Sequence, residues 1–315
     1  MAKCARCASG KTVVDLEYIN ESLCENCFKS FFEKRFRRTI RRNELLKPDD
    51  KVAIALSGGK DSVVLAYLLK KLSAKAPKSQ LFAITIDEGV KGYSSETIKI
   101  AKELTENLGI EHHIFTYKKE LGLKLDEIMK KAIKIKNAPM ACSYCGVFRR
   151  QLINMKAREL GATKVATGHN LDDETQVSLM NLIRGDLDRL ARMGTMVGMI
   201  KDSSFVPRIK PLRESPEKEL ELYSRLVGLK VGSSRCPYSH GAFRGTMRAI
   251  VNLLEDKHPG SSYQLLRSTD ALIPILREYY KDMPMQKPKQ CENCGELTSQ
   301  GLCKFCQMKN DLGIN

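Results

Sequence analysis

A chain of 315 residues with 42% hydrophobic and 29% charged side chains can bury a substantial core, as one large domain or a central domain with small appendages. Its 53 Lys and Arg outweigh 37 Asp and Glu to give a formal charge of +16, which favours a polyanionic partner. There is no apolar run of about 18 residues and no signal-like opening, so the expectation is a cytoplasmic protein with no membrane contact. The eleven cysteines then point to metal or redox chemistry.

The first element is a pair of knuckles, Cys4-x-x-Cys7 and Cys24-x-x-Cys27. Two Cys-x-x-Cys turns supply four thiolates, the closed tetrahedral set that structural Zn2+ takes, and a module this short needs the metal's binding energy to fold. A helix is predicted over 28–46, where Phe28, Phe31, Phe32, Phe36 and Ile40 recur at three- and four-residue steps. The same stretch carries Lys29, Lys34, Arg35, Arg37, Arg38, Arg41 and Arg42 against Glu33 and Glu44, a stripe suited to RNA phosphates. Lys47-Pro48-Asp49-Asp50 breaks it.

Next comes the apolar strand 51–56, then Ser57-Gly58-Gly59-Lys60-Asp61-Ser62, then a helix over 62–72. A buried strand feeding a glycine turn and a helix N-terminus gathers backbone N–H groups around an anion, and the two serines add hydroxyl donors. The stretch lacks the G-x-x-x-x-G-K-[ST] spacing of a P-loop. Further strands over 80–86, 111–117 and 164–168 alternate with helices over 95–108, 123–136, 147–160 and 172–184. The expected fold class is therefore α/β, a parallel sheet with helices on both faces. Ligands in such sheets sit beyond the carboxyl ends of the strands, where Ser57–Ser62, Asp87-Glu88 and Gly168-His169-Asn170-Leu171-Asp172-Asp173 all fall. His112 and His113 read as strand residues, and His169 as orienting its loop.

Three cysteines remain apart from the quartets: Cys142 and Cys145 in Cys-Ser-Tyr-Cys-Gly, and Cys236 before Pro237. Three thiolates are one short of closing a zinc or iron–sulfur site and leave a position for an exogenous ligand. A persulfide on one cysteine, resolved by another as a disulfide, is the competing chemistry, and burial as core residues the third reading. From Gly241 the pattern is helical with a break near Lys257–Gly260, and a Pro- and Lys-rich linker, 283–290, leads to a second quartet, Cys291, Cys294, Cys303 and Cys306. The implied organisation is a Cys4 zinc module at 1–30, a catalytic domain at 31–282 entered by the basic helix, the linker, and a Cys4 zinc module at 291–315.

The Ser57–Ser62 stretch resembles the pyrophosphate loop, SGGxDS, of the ATP pyrophosphatase superfamily. With two terminal Cys4 modules, a central Cys-x-x-Cys-Gly, Gly-His-Asn-x-Asp-Asp and Cys236, the whole chain is similar to the tRNA 2-thiouridine synthetases of the TtuA/NcsA group, relatives of the TtcA enzymes. The resemblance implies an adenine nucleotide alpha-hydrolase-like fold with zinc ribbons at both ends. It implies adenylation of uridine O2 by ATP and then sulfur insertion, releasing AMP and pyrophosphate; the group serves both positions 34 and 54, and 34 is the weakly favoured expectation. It also implies a [4Fe–4S] cluster on Cys142, Cys145 and Cys236 with one iron open to sulfide, and Asp173 as the catalytic aspartate.

Some relatives carry a lysine where this chain has Arg149; an arginine keeps the charge for ATP phosphates but cannot act as a base. Lys60 is the other expected phosphate cation, Asp61 an expected Mg2+ contact, and the backbone at Ile86 and Gly168 an expected seat for the nucleotide. The partners implied are tRNA, a sulfur donor (sulfide or a ubiquitin-like thiocarboxylate carrier) and a second copy of the chain. The rivals are thiolation through a persulfide without a cluster, an adenylating ligase or amidotransferase unrelated to RNA, and a non-catalytic zinc-ribbon RNA-binding protein.

Overall fold

A computed structural model describes residues 3–8, 11–74, 76, 78–197, 205–232, 236–239, 243–281, 289–298 and 300–314. Strands β1 (Thr12–Leu16) and β2 (Glu21–Cys24) form an antiparallel hairpin that runs into α1 (Glu25–Arg42). Then follow β3 (Lys51–Ala55), α2 (Lys60–Ser73), β4 (Gln80–Asp87), α3 (Ser94–Leu108), β5 (Glu111–Thr116), α4 (Tyr117–Leu121), α5 (Leu125–Ala132) and α6 (Ala141–Glu159). Next are β6 (Lys164–Ala166), α7 (Leu171–Arg184), α8 (Leu187–Ala191), β7 (Met196–Val197), β8 (Arg208–Ile209), α9 (Glu217–Leu226), α10 (Phe243–Lys257) and α11 (Ser261–Lys281). The C-terminal module holds β9 (Lys289–Gln290), β10 (Leu297–Thr298) and α12 (Lys304–Asp311).

The central sheet has the order β5-β4-β3-β6-β8-β7, parallel throughout except for β7, which runs antiparallel at the edge. The parallel α/β architecture is as the alternation predicted; the edge pair β7 and β8, two residues each, was not anticipated. Because β3 pairs with β4 on one side and β6 on the other, the chain reverses its winding between β3 and β6. That reversal opens a crevice at the carboxyl ends of these two strands.

Alternate side chains of β3 feed two cores, as a strand buried on both faces requires. Val52 and Ile54 pack with Phe28, Phe32 and Phe36 of α1 and with α2 and α9. Ala53 packs on the other face with Phe82, Tyr144, Phe148 and the C-terminal module's Phe305 and Met308. Each fully buried aromatic here stabilises the fold by about 1.5–3 kcal/mol relative to exposure. The first cysteine quartet belongs to the α1 side through Cys4 and Leu23, and the second to the α6 side through Cys291, Cys303 and Cys306.

Two readings need correction. Helix α1 begins at Glu25 and ends at Arg42, so it starts directly on the second knuckle. Arg35 does not belong to a phosphate-facing stripe: it is buried, with Nη2 2.5 Å from Glu219 Oε2, and its Nη1 donates to the hydroxyls of Tyr18 and Tyr263. Lys29 and Arg37 are also paired, with Glu25 and Glu33 one turn away. The linker predicted at 283–290 lies outside the described residues except for Lys289 and Gln290. Among the described residues no helix is long and apolar enough to cross a membrane.

Candidate nucleotide and cysteine site

The loop after β3 is locked by its own hydroxyls. Ser62 is buried; its Oγ accepts from Ser57 N at 3.1 Å and donates to Gly59 O at 3.0 Å, and Ser57 Oγ lies 3.1 Å from it. Gly58 has φ +76, and a Cβ there would meet the Thr97 carbonyl oxygen at 2.1 Å, so both its dihedral and its space exclude other residues. Gly59 caps α2, leaving the first N–H groups of that helix open towards the crevice.

The facing wall is the loop from β6 into α7. Asn170 is its N-cap, with Oδ1 accepting from Asp173 N at 2.9 Å while Asp173 Oδ2 accepts from Asn170 N at 3.3 Å, a reciprocal capping box. Asn170 Nδ2 also donates to Asp61 Oδ1 at 3.2 Å, which ties the two loops together. Gly168 packs against Asp61 and Ser62, where a Cβ would come within 3.0 Å of backbone. Asp173 Oδ1 accepts from Arg244 Nη2 at 2.6 Å, and Arg244 Nε donates to Gln176. His169 is exposed, with Nδ1 2.9 Å from Thr167 Oγ1.

Lys60 Nζ lies 2.5 Å from Glu217 Oε1 and 3.5 Å from Asp61 Oδ2, and Glu217 N donates to Asp172 Oδ2 at 2.7 Å. Two carboxylates, Asp61 and Glu217, therefore meet one ammonium, and Asp172 sits behind Glu217. Burial raises Asp61, with Lys60 working against it, and raises Asp172 to about 6. Such carboxylates are poised to accept a cation or to release one to a phosphate.

The three central cysteines meet at the end of β4. Cys142 and Cys145 occupy the first turn of α6, which starts at Ala141 rather than at Val147 as predicted, so their i, i+3 spacing puts both on one helical face. Cys142 Sγ is 3.3 Å from Tyr238 O, in the short turn that Cys236 opens. Cys145 Sγ is 4.0 Å from Glu88 Oε1, and Arg149 Nη1 donates to the same oxygen at 3.2 Å. Burial pushes the Cys145 thiol up to about 11, and Arg149 opposes it. Tyr117 donates to Cys145 O and fixes the turn. Ile86 lies buried near the end of β4, two residues before Glu88.

The terminal quartets are tighter: within Cys4, Cys7, Cys24 and Cys27, and within Cys291, Cys294, Cys303 and Cys306, all sulfurs lie within 4.8 Å of one another. Both quartets can hold a metal ion, and none of the eleven cysteines is in a disulfide. Cys303 N and Cys306 N donate to Cys291 Sγ and Cys303 Sγ, the N–H···S pattern of a metal knuckle. Glu217, Arg244 and Glu88's pairing with Arg149 were not assigned from sequence. Glu88 stood at the right strand end, but nothing in Ser-Pro-Glu or Phe-Arg-Gly signals the other two.

Residues 28–251 match the PP-loop domain family of ATP-binding proteins. The tRNA 2-thiolation protein NcsA of Haloferax volcanii is 38% identical, the alignment covering 97% of each chain. The cytoplasmic tRNA 2-thiolation protein 1 of Chlamydomonas reinhardtii is 35% identical over 98% of this chain and 84% of its own length. Among solved structures, the U34-tRNA thiolase NcsA from Methanococcus maripaludis with its [4Fe–4S] cluster superposes with a TM-score of 0.84 at 37% identity, covering 99% of this chain and 97% of that one.

Proposed function

The chain belongs to the PP-loop ATP-binding family, close to its NcsA-type tRNA 2-thiolation proteins, and from that membership we propose that it is a cytoplasmic ATP-dependent tRNA-uridine 2-sulfurtransferase that makes 2-thiouridine. The observation that carries the reading is the meeting of a complete pyrophosphate loop, an aspartate-bearing wall and three cysteines at one sheet edge. Position 34 is favoured over 54, in keeping with the U34 enzyme that the fold matches over nearly its whole length.

Uridine C2 is a poor electrophile, so its oxygen has to become a leaving group first. Backbone N–H groups of Ser57–Ser62 and the α2 N-terminus bind the triphosphate and stabilise charge as O2 attacks the α phosphorus. Lys60 and Arg149 neutralise phosphate oxygens, and the backbone at Ile86 and Gly168 seats the nucleotide. Asp61 helps hold Mg2+. Asp173, oriented by Arg244, positions Mg2+ or takes the proton that uridine N3 sheds as O2 becomes the nucleophile. AMP then leaves as sulfur reaches C2.

The residues at the thiol site fit a [4Fe–4S] cluster. The donor set is three soft thiols, one short of closing a site. Cys142, Cys145 and Cys236 would hold it, and when bound it supplies the sulfur-transfer chemistry at the activated carbon. The quartets fit structural Zn2+, four thiolates with no open position, in zinc-ribbon modules at 1–30 and 291–315 around the catalytic domain. The sulfur donor is free sulfide or a thiocarboxylate carrier. A pair of chains would cover the exposed Ile183, Leu253, Ile275 and Tyr279, which lie on the mutually packed helices α7, α10 and α11. The test is ATP cleavage on unmodified tRNA: pyrophosphate release that depends on tRNA supports the reading, and a protein that binds tRNA without releasing pyrophosphate would be the non-catalytic RNA binder instead.

A further inference from the structure

Away from the pyrophosphate loop, α1, the 193–196 segment and α11 enclose an open cleft of about 950 Å³. Its floor is apolar, with Met193, Leu266 and Ile273 buried beneath it. Its rim is cationic. Arg42 and Arg267 are exposed and make no side-chain hydrogen bond or ion pair with a described residue. Arg38, 62% exposed, reaches Glu214 only at 3.9 Å. Arg38 and Arg42 stand one helical turn apart on α1, about 6 Å along its axis, and Arg267 faces them from α11. Of the two acids in the lining, Asp270 is engaged by Arg213 at 2.7 Å and Glu214 faces Arg38 alone, so neither offsets Arg42 or Arg267.

We propose that this cleft is a binding groove for the sugar–phosphate backbone of the substrate RNA, outside the nucleotide that reacts. Guanidiniums spaced along two helices suit successive phosphates of one strand better than a single small anion, and a part-apolar floor with Phe31 at its edge suits unpaired bases. Arg213, in the back wall, reaches Glu174, the neighbour of Asp173 on α7, at 3.6 Å. RNA held in the cleft is thereby braced against the helix that carries Asp173, so that remote binding energy orients the reacting base. The RNA identity rests on the thiolase reading; the location rests on the arginines alone.

The test is binding of unmodified tRNA, by fluorescence anisotropy across a salt series, to wild type and to Arg42→Ala/Arg267→Ala, with ATP affinity and thermal melting as controls. The groove predicts a loss of at least tenfold in affinity and a fall of about two in the slope of log K against log salt, since each phosphate contact contributes about 0.9. It also predicts recovery of the slope in Arg42→Lys/Arg267→Lys, with ATP affinity and melting unchanged. Full tRNA affinity and slope in the alanine variant would overturn the groove, and a selective loss of sulfur delivery from a thiocarboxylate protein, with tRNA binding intact, would reassign it to that carrier. Wild type that binds no tRNA at all would count against the thiolase reading rather than against the arginines.

Discussion

Lys60, in the loop after β3, is held by Glu217 of α9, Nζ to Oε1 2.5 Å. The pair is about three-quarters shielded, with side-chain exposures of 24% and 29%, and it couples the loop after β3 to the start of a helix that packs against α1 and α2. Under the proposed function, phosphate entry exchanges this carboxylate for phosphate oxygens.

Replacing Glu217 by Gln removes the competitor and one negative charge beside the triphosphate. ATP affinity should rise about fivefold, equivalent to about 1 kcal/mol for a partly shielded pair. Lys60→Met should lower kcat/KM for ATP by about a hundredfold or more, in the range of losing one charge-stabilising donor. Titration calorimetry with a non-hydrolysable ATP analogue checks the first; weaker binding in Glu217→Gln would identify Glu217 as a Mg2+ contact instead.

Asp173 has two duties, and they can be separated. It closes the capping box of α7 with Asn170 and it meets Arg244. Asp173→Asn keeps an oxygen that can accept from Asn170 N, so melting should be close to wild type while thiolation falls by at least a hundredfold. Asp173→Ala should lose the same activity and about 1 kcal/mol of stability as well. Arg244→Ala should lower kcat with little change in KM for tRNA. Asp173→Asn with near-normal turnover would reduce the residue to a helix cap.

The buried pair of Arg35 and Glu219, 3% and 5% exposed, carries a different prediction. Arg35→Met leaves a carboxylate without its cation in the core and should cost about 3–5 kcal/mol in urea unfolding, whereas Arg35→Met/Glu219→Leu should recover most of that loss. A surface arginine serving RNA would show neither effect.

The C-terminal module shares one hydrophobic cluster with α6. Phe305 stacks edge-on to Phe148 of α6 at 5.4 Å, on the helix whose first turn carries Cys142 and Cys145. Phe305→Ala should cost about 3 kcal/mol, and chelation of metal from the second quartet should lower the melting temperature of the whole protein. Iron retention after reconstitution, read from visible absorption, should fall in both cases. Normal iron retention after stripping that quartet would show the module to be independent of the site.

What was legible in sequence was whatever is local. Strands 51–56, 80–86 and 111–117 stand within a residue of β3, β4 and β5, because continuous apolar runs between turn signals leave little choice. The glycine loop was legible because Gly58 has no substitute at its φ and spacing. The helix predicted from 147 starts at Ala141 instead, and Gly146 lies within it, with the Arg150 guanidinium against it. Arg35 was misplaced because its partner, Glu219, is remote in sequence, and a helical wheel cannot show which cation a distant acid will draw inward. Glu217 and Arg244 were missed for the same reason, since each acquires its meaning only when α9 and α10 are set against the crevice. The two-residue strands β7 and β8 are too short to carry a period.

The measurement that tests the account most directly is 2-thiouridine formation on unmodified tRNA with ATP and sulfide under strict anaerobiosis, comparing iron-reconstituted wild type, iron-free wild type and Cys236→Ala. The account predicts product from the reconstituted wild type alone, with the variant losing the cluster's absorption but keeping tRNA-dependent pyrophosphate release. Undiminished thiolation by the iron-free protein would contradict it and move the chemistry to a cysteine persulfide.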